Sequence, residues 1–502
     1  MFRRDVSSLS NEVTDDFIQK LFNKIDNLTS VIAEQTATIN KLAETIAKQQ
    51  VESIMQREEI AKLKEQINKN SKNSSKPPSS DAFNKPQPKS LRKSSDKKQG
   101  AQKGHKGTGF SITKEPDEII NHIPAPCDGC LNFGRCTSHE ITGKRYEVDI
   151  IIDTKVTLHQ ALAFECPYRN NQVLRADFPE NIKSTMQYGH NLQSLVVALN
   201  TMGMVSINRT HELLSDLFCI PISTGTIHKI VTECAQKINP VVEQIREKIL
   251  QSSIIHFDET GTRVDKKTSW VHNASTSDYT FLTIEDKRGH EGMGSSNVLP
   301  HFKGIAVHDC WASYWKYDEV THAICCAHLL RELTGVIENH PSQHWAQEMI
   351  DLLLKMKEVK EKAIFMGAEK LSYYYTNGFH KTYLGIIEKA RTLNPIPEKE
   401  PGKRGRPGKG KIRCLVERLF DYEGGVCLFT RNFSVPFDNN QAERDVRMIK
   451  VKTKVSGCFR TKEGAKSFMT IMSYLGTSKK RRISRIIALK KALLGEGNFI
   501  FS

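Results

Sequence analysis

Long apolar runs are missing from this sequence of 502 residues. No stretch approaches the roughly 18 consecutive apolar residues that a membrane-spanning helix needs, and the opening residues MFRRDVSSLS are not followed by the apolar core of a signal peptide. Cysteine is also sparse, with 12 residues scattered along the chain. This spacing excludes a secreted disulfide scaffold and favours reduced thiols. We therefore expect a cytoplasmic protein with no membrane span.

Acidic residues are outnumbered, because 57 Asp and Glu stand against 73 Lys and Arg, for a net charge of +16. Such an excess favours a polyanionic partner, either nucleic acid or an anionic membrane face. A soluble basic protein without such a partner is the alternative. The length suggests two to four domains.

Apolar residues recur at alternating spacings of three and four over residues 12–69. This narrow seam of about seven heptads, with polar outer faces, predicts a coiled coil that joins copies of the chain. The alternative is a single amphipathic helix folded back on another domain. The seam includes Ile18, Leu21, Ile25, Leu28, Ile32, Ile39, Leu42, Ile46, Ile60, Leu63 and Ile67.

Two stretches have the composition of basic linkers. Residues 70–115 are rich in Ser, Pro, Lys and Gly and have almost no apolar content, so we expect them to be disordered. They could also lie along phosphates. The sequence KRGRPGKGK, from Lys403 to Lys411, contains an Arg-Gly-Arg-Pro core that resembles a minor-groove AT-hook. A flexible basic linker is the alternative there.

Residues 116–182 contain the motif CDGC, whose two thiolates could bind one zinc ion. A second such pair is incomplete, because CPYR has Arg169 where the second cysteine would stand. We therefore predict a zinc-finger-like β domain, with a small β domain carrying free cysteines as the alternative. The candidate zinc ligands are Cys127, Cys130, Cys136 and Cys166, with His139 or His159 as other candidates for the fourth position.

Residues 183–250 have a helical pattern. One helix is predicted from Ser206 to about Phe218, followed by a turn around Pro221 and a second helix capped by Ser223. This arrangement resembles a DNA-binding helix-turn-helix, although ordinary helical domains also contain such pairs. The start of the second helix would read base edges through Ser223, Thr224, Thr226 and Lys229.

From residue 252 the pattern changes to strands, in the stretches SIIHFDETGTRVD, SWVHNASTSDYTFLTIED and KGIAVHDCWASY. Two of these strands deliver an acid to the edge of a sheet. In SIIHFDETGTRVD, Asp258 points to the face opposite Phe257 and Glu259, because side chains alternate along a strand. In KGIAVHDCWASY, Asp309 ends a buried strand. Two such carboxylates can converge on divalent metal ions, whereas one alone is usually structural. A third acid on a nearby helix would complete the set.

The stretch VPFDNNQAERDVRMIK, residues 435–450, can provide that third acid. Asp438 with Gln441 three residues later has the spacing of a capping box. At about 100° per residue, Asp445 points away from Glu443 on a helix. We predict Asp438 as the helix cap, Asp445 as a surface charge and Glu443 as the metal ligand. An exposed helix with salt bridges is the alternative.

The segment DNNQAERDVRMIKVKTKVSGCFRTKEGAKSFMTIMSYLGTSKK closely resembles the C-terminal signature of insertion sequence 66 family transposases. Other blocks follow in the family's order and extend the resemblance over nearly the whole chain: NSSKPPSSD, GAQKGHKG, HFDETGTRV, VHDCWASY and CCAHLLREL. The resemblance implies an RNase H-like catalytic domain with a DDE triad. By motif, the triad corresponds to Asp258, Asp309 and Glu443.

The implied activity is that of a bacterial DNA transposase, which binds the ends of its insertion sequence and catalyses metal-dependent strand cleavage and transfer. The three acids would hold two Mg²⁺ or Mn²⁺ ions, and Zn²⁺ would be a further cofactor if the cysteine site is filled. The implied partners are terminal inverted repeats, target DNA, further copies of the chain and small companion proteins. The protein would be cytoplasmic and associated with the nucleoid. The alternative is a non-catalytic DNA-binding regulator or a domesticated relic of a transposase.

Basic side chains near the acids are further candidates for DNA contacts. His328 and Arg331 share one helical face in CCAHLLREL and could touch a phosphate or the scissile strand, with a helix surface pair as the alternative. A basic run after Glu443 would neutralise phosphates. That run consists of Arg444, Arg447, Lys450, Lys452 and Lys454.

The expected chain is therefore multidomain α/β. Its predicted parts are a coiled coil at 12–69, a linker at 70–115, a zinc-finger-like domain at 116–182, a helix-turn-helix-like domain at 183–250, an RNase H-like domain at 251–477 with a helical insertion at about 335–425, and a basic C-terminal helix at 478–502.

Overall fold

A computed structural model describes residues 7–74, 115–120, 122, 144–148, 153–166, 168, 172–396 and 408–502. The chain divides into two compact units. One consists of Met1–Pro86 with Thr232–Ser502, and the other of Gln87–Val231. Helices and a mixed sheet together make the chain α/β, as predicted.

The first unit begins with α1, a single helix of 62 residues from Ser7 to Asn68. From Ile18 onward the apolar residues of its heptad seam are exposed, with about half or more of each side chain accessible. The predicted helix is thus confirmed. A coiled coil remains a prediction, since one chain contains one copy of the seam.

A five-stranded sheet forms the centre of this unit. Its strands are β3 (Ile254–Val264), β4 (Lys267–Ser275), β5 (Thr280–Glu285), β6 (Ile305–His308) and β7 (Thr321–Ile324). Their order is β5-β4-β3-β6-β7. The β3–β4 and β4–β5 pairs are antiparallel, whereas β6 lies parallel to both β3 and β7. The first four strands fall where the alternating patterns predicted them, but β7 was not predicted.

Two C-terminal helices pack on this sheet. Helix α12 (Asn440–Ser456) contacts β3 and β4, and α13 (Lys462–Lys480) contacts β5. The apolar stripe of α12 is buried, including Ala442, Val446 and Ile449. Packing of this stripe places the first turn of α12 over β3, which decides where Glu443 lies.

Helices fill the interval between β7 and α12, as expected for the proposed insertion. A short helix, α5 (His290–Ser295), lies earlier in the chain, between β5 and β6. The helices after β7 are α6 (Cys326–Asn339), α7 (Trp345–Phe365), α8 (Tyr373–Leu393), α9 (Lys411–Asp421), α10 (Glu423–Val426) and α11 (Leu428–Arg431). Their apolar faces form one core around Trp345, Leu353 and Tyr383. Most of the AT-hook-like sequence, residues 403–407, lies outside the described residues.

The C-terminal end differs from the single basic helix expected over residues 478–502. Helix α13 continues to Lys480, a separate α14 spans Arg485–Leu493, and a 3-10 turn covers Gly497–Phe501. Ile500 is fully buried and the carbonyl of Gly497 accepts the Tyr474 hydroxyl. The apolar residues in the tail therefore fold it back onto α13.

The second unit contains a two-stranded antiparallel hairpin, β1 (Ala163–Cys166) with β2 (Gln172–Arg175), and the helices α2 (His190–Thr201) and α3 (Ile207–Phe218). It also contains the start of α4 (Thr224–Leu250). The predicted Ser223 cap is confirmed, since its Oγ accepts the Thr226 N–H at 3.1 Å. Ser206, the predicted start of the first helix, is the N-cap residue of α3, and its Oγ accepts the Arg209 N–H. The hairpin falls in the region expected to be zinc-finger-like. Cys127, Cys130, Cys136 and the side chain of Cys166 lie outside the described residues.

Candidate active site

Asp258 lies in the middle of β3, where its backbone pairs with Asn273 of β4. On the other side of β3, the parallel strand β6 pairs His256 with Val307. One oxygen of Asp258 accepts the backbone N–H of Glu259 at 2.9 Å. The carboxylate is therefore carried by a strand with neighbours on both sides, which gives it a well-defined position.

Asp309 follows directly after β6 and occupies the first position of a tight turn. Its Oδ1 accepts the backbone N–H of Trp311 at 2.9 Å. Between them, Cys310 has a φ of 71°, in the left-handed region that L-residues rarely occupy. Such strained residues concentrate at functional sites, where the surrounding structure holds them in place. The turn directs Asp309 toward the same sheet edge as Asp258.

Glu443 lies in the first turn of α12, and Asn439 joins this helix to β3. The Asn439 side chain is buried, donates from Nδ2 to the Phe257 carbonyl at 2.7 Å and accepts from Nδ1 of His256 at 2.8 Å. Both partners directly precede Asp258 on β3. Asn439 therefore holds the start of α12, and with it Glu443, beside the strand that carries Asp258.

The predicted capping box at the start of this helix is wrong. The N-cap residue is Asn439, whose side chain is turned into the protein rather than onto the helix. Asp438 accepts the Asn440 N–H from outside the helix, and Gln441 donates to the Thr276 carbonyl. Tertiary hydrogen bonds thus replaced the local capping geometry that the sequence suggested.

Charge repulsion links the three acids. Burial raises the pKa of the Asp258 carboxyl well above its ordinary value. Repulsion from Glu259, Asp309 and Glu443 raises this pKa further. Burial also raises the pKa values of Asp309 and Glu443. Asp309 and Glu443, from separate parts of the sequence, are therefore close enough to Asp258 to disfavour its ionisation, which is an environment that a divalent cation would relieve.

A fourth acid, Glu259, is buried beside the group and was not predicted as part of it. Its side chain is only 1% exposed and forms an ion pair with Arg288 at 2.7 Å. The Tyr314 hydroxyl donates to its second oxygen at 2.8 Å. The Arg288 guanidinium lies 4.1 Å from the ring centroid of Trp311, in the turn that follows Asp309. Arg288 thus neutralises Glu259 and braces the Asp309 turn at once.

Asp445 does not lie on the surface, contrary to the sequence-based prediction. It points away from Glu443 as predicted, but its side chain is 17% exposed and pairs with Lys480 of α13 at 2.7 Å. Lys480 also donates to the carbonyls of Thr276 and Tyr279. This ion pair therefore joins α12 to α13 and to the loop before β5.

The basic run after Glu443 divides into exposed and buried members. Arg444, Arg447 and Lys454 are exposed. Lys450 instead donates to the Gly261 carbonyl at 2.5 Å, and Lys452 is buried with its ammonium 5.3 Å from the Phe468 ring centroid. Burial lowers the pKa of Lys452 to about 8. Both lysines thus point back onto the protein, and phosphate contacts from them stay a prediction that requires the side chains to turn outward.

His328 and Arg331 face Glu443 rather than forming a surface pair. Both lie on α6, with side chains 14% and 25% exposed. Nη2 of Arg331 lies 3.4 Å from Oε1 of Glu443, and Nδ1 of His328 lies 3.7 Å from the same oxygen. Burial and the neighbouring guanidinium lower the pKa of His328 to about 3, so the ring is neutral near pH 7.

In the second unit, the start of α4 presents polar side chains as predicted. Ser223, Thr224 and Lys229 are exposed, and Thr226 is half-buried. The Ser223 hydroxyl caps the helix, so its free capacity for a further contact is reduced. Whether these side chains contact DNA stays a prediction.

Comparison with known protein families agrees with the family that the sequence motifs indicate. A family model described as Transposase IS66 family matches residues 185–467, which is more than half of the chain and contains all three acids. The chain therefore belongs to the IS66 family of transposases, and DNA is its implied partner. A family of unknown function matches residues 24–110, which include most of α1. The comparison with curated proteins found no match. Within the described ranges, every helix is too short or too polar to cross a membrane.

Proposed function

We propose that this transposase is a DDE enzyme with an RNase H-like catalytic domain, which cleaves the ends of its insertion sequence and joins them to target DNA. The observation that supports this proposal is the convergence of Asp258, Asp309 and Glu443, from two adjacent strands and one helix, into a group with raised pKa values.

The donor set suits Mg²⁺ or Mn²⁺. All three side chains offer hard carboxylate oxygens, the ligands these ions prefer, and repulsion from the neighbouring acids raises the pKa of Asp258. In this proposal Asp258, Asp309 and Glu443 hold two ions, which when bound supply activation of the attacking oxygen and stabilisation of the leaving one.

Other residues of the protein hold the three acids in position and contact the DNA. Strand β3 and the turn after β6 fix Asp258 and Asp309, while Asn439 fixes the start of the helix that carries Glu443. Arg331 lies beside Glu443, where its guanidinium can also meet a phosphate of the bound strand. Exposed Arg444, Arg447 and Lys454 would neutralise phosphates farther along the duplex.

The rest of the chain would recognise the element ends and assemble the complex. The helix-turn-helix-like pair, α3 and the start of α4, and the zinc-finger-like region would bind the terminal repeats. The exposed seam of α1 would pair copies of the chain, so that two ends are held together. Small companion proteins would act with this assembly at the bacterial nucleoid.

The test is strand cleavage and transfer by the full chain on DNA that carries an element end, with Mg²⁺ or Mn²⁺ and with the companion proteins of the element added. Asp258→Asn, Asp309→Asn and Glu443→Gln should each reduce the rate by about 10³-fold or more, because several kcal/mol of metal-dependent stabilisation is lost. Each variant should still bind the DNA.

Asp286→Asn is the matched control. This acid is exposed, follows β5 and forms an exposed ion pair with Lys462 at 3.0 Å, so the rate should stay within about two-fold of wild type. A wild-type protein that binds element ends but neither cuts nor joins them would reject catalysis in favour of a DNA-binding regulator.

A further inference from the structure

Three side chains of different chemistry meet beside the proposed catalytic acids. The sulfur of Cys325, a ring nitrogen of His328 and a carboxylate oxygen of Glu443 all lie within 4.8 Å of one another. Cys325 is the N-cap residue of α6, and His328 lies one turn further along the same helix. The catalytic proposal uses only Glu443 of these three.

The distance between the donor atoms fits two ligands of one metal ion better than it fits a direct hydrogen bond. Nδ1 of His328 and Oε1 of Glu443 are 3.7 Å apart, which is too long for a hydrogen bond. Two donors on one tetrahedral zinc ion, at bond lengths of roughly 2.0–2.2 Å, would be about 3.4 Å apart. The observed distance is therefore close to that of two ligands of a single ion.

His328 has a buried nitrogen that lacks a partner. Among the described residues, none forms a hydrogen bond with its Nδ1, although the atom is shielded from solvent. Buried polar atoms are rarely left in this state, and a bound ion is one of the partners that can satisfy such an atom. The unpartnered atom faces Glu443, on the side where a metal ion would sit.

The Cys325 sulfur already has the surroundings of a metal-bound thiolate. The side chain is fully buried, and the backbone N–H of Asn439 donates to Sγ at 3.1 Å. Hydrogen bonds of this kind orient a thiolate ligand and stabilise its charge. Without a metal, burial raises the pKa of this thiol to about 12, while the N–H groups of His328 and Asn439 oppose the rise.

We propose that Cys325, His328 and Glu443 bind one Zn²⁺ ion. A thiolate, an imidazole and a carboxylate are a ligand set that zinc accepts, and three protein ligands leave one position open for water. On binding, the Cys325 thiol releases its proton to solvent, and the sulfur donates the electron pair to the metal. Arg331, 3.4 Å from the shared carboxylate, opposes the cation, so Arg331→Gln should tighten zinc binding several-fold.

This site would regulate the reaction, a consequence that rests on the proposed catalytic function. Oε1 of Glu443 faces His328, so a zinc ion bound there would turn this carboxylate toward α6 and compete with Mg²⁺ for it. Zinc held by Cys325 and His328 would therefore withdraw Glu443 from the Mg²⁺ site and inhibit strand transfer. The zinc site itself does not depend on catalysis, so binding and inhibition can be measured separately.

The first measurement is binding of Co²⁺, as a spectroscopic substitute for Zn²⁺, to the full chain without DNA. Because Cys127 and Cys130 could bind metal too, both are changed to Ser in every protein compared. We expect a near-ultraviolet thiolate-to-cobalt absorption band that Zn²⁺ abolishes. Cys325→Ser should remove this band and weaken zinc binding at least ten-fold.

Cys326→Ser is the matched control, because Cys326 is adjacent and equally buried but its sulfur faces the carbonyls of Ile324 and Val426. This variant should keep the band. His328→Gln provides a second variant, should Cys325→Ser fail to fold, and should weaken zinc binding by a similar factor. Equal cobalt spectra for wild type, Cys325→Ser and His328→Gln would overturn the site.

The second measurement adds Zn²⁺ to strand-transfer reactions at fixed Mg²⁺. Zinc should inhibit the wild type at concentrations that fill the site, and inhibition of Cys325→Ser should need at least ten-fold more zinc. Zinc binding without any strand transfer by the wild type would reject the catalytic proposal alone. Strand transfer with no zinc binding would reject the zinc site alone.

Discussion

Asp258 combines a buried position with three neighbouring acids, and this combination has a thermodynamic consequence. Its carboxyl has a higher pKa in the folded protein than in the unfolded chain, so folding favours the protonated form. The penalty is absent below the unfolded pKa of about 4 and grows as the pH rises from there toward the raised folded pKa. At neutral pH the metal-free protein therefore carries a penalty that it lacks at acid pH.

We predict that Asp258→Asn stabilises the metal-free protein at pH 7 by about 1 kcal/mol or more, since a raised pKa of one unit corresponds to about 1.4 kcal/mol. The advantage should shrink as the pH falls toward 4. Thermal unfolding at several pH values measures this. Mg²⁺ should raise the melting temperature of the wild type but not of the variant; a variant less stable than wild type at pH 7 would contradict the assignment.

Asn439 and Asn440 form a natural matched pair. Asn439 is buried and bonded to His256 and Phe257, whereas Asn440 is exposed. We predict that Asn439→Ala lowers the free energy of unfolding by about 2 kcal/mol or more, because buried partners lose their hydrogen bonds. Asn440→Ala should change it by less than about 0.5 kcal/mol. Equal effects in chemical denaturation would show that Asn439 does not anchor α12.

At the scale of elements, the contact of α1 with α6 depends on a glycine. Gly335 lies in α6, and a Cβ built there would be 2.3 Å from the backbone oxygen of Asn73, just beyond α1. The same contact includes a hydrogen bond from Asn73 to Glu338 at 2.7 Å. The residues after α1 can therefore dock only where α6 lacks a side chain.

We predict that Gly335→Ala destabilises this docking by about 1–3 kcal/mol, as overpacking does, even though alanine is the better helix former. Faster hydrogen exchange in residues 68–74 would reveal it. The control is Gly385→Ala in α8, where a new Cβ meets nothing within 4 Å; there the change should be neutral or stabilising by up to about 1 kcal/mol. Unchanged exchange in Gly335→Ala would argue against the contact.

At the scale of the whole molecule, α1 presents an apolar seam that one chain leaves exposed. We predict that the protein self-associates through this seam and that Leu28→Lys with Ile39→Lys abolishes association, because buried ammonium groups without partners are strongly unfavourable. Molar mass by light scattering measures the effect. Ser30→Lys with Ala37→Lys, on the opposite side of the heptad, should leave the mass unchanged; an unaltered mass in the seam variant would favour a helix that acts alone.

The net charge of +16 predicts DNA affinity that falls steeply with salt. Only side-chain cations that reach solvent can neutralise DNA phosphates and so release the counterions of DNA. We therefore predict that Arg447→Ala makes the slope of log K against log salt less steep by about one. Lys452→Met should leave the slope unchanged, since Lys452 is buried over Phe468. A salt titration of DNA binding distinguishes the two, and equal losses would mean that Lys452 turns outward on DNA.

Local periodicity determined much of this protein. The repeat of a helix or strand, which each segment carries within itself, predicted the 62-residue α1, four of the five strands and the opposite directions of Glu443 and Asp445. Local sequence also predicted the Ser223 cap. The motifs likewise identified the family, because motif order needs no folding.

Tertiary structure decided what each charged side chain meets. Asp445 became a buried partner of Lys480, Lys450 and Lys452 turned inward, and Asn439 rather than Asp438 became the N-cap residue. Cys325 and His328 came to face Glu443. Each outcome depends on an atom contributed by a distant segment, and the energy of a charge or polar group depends on those neighbours and its burial far more than on its own sequence position.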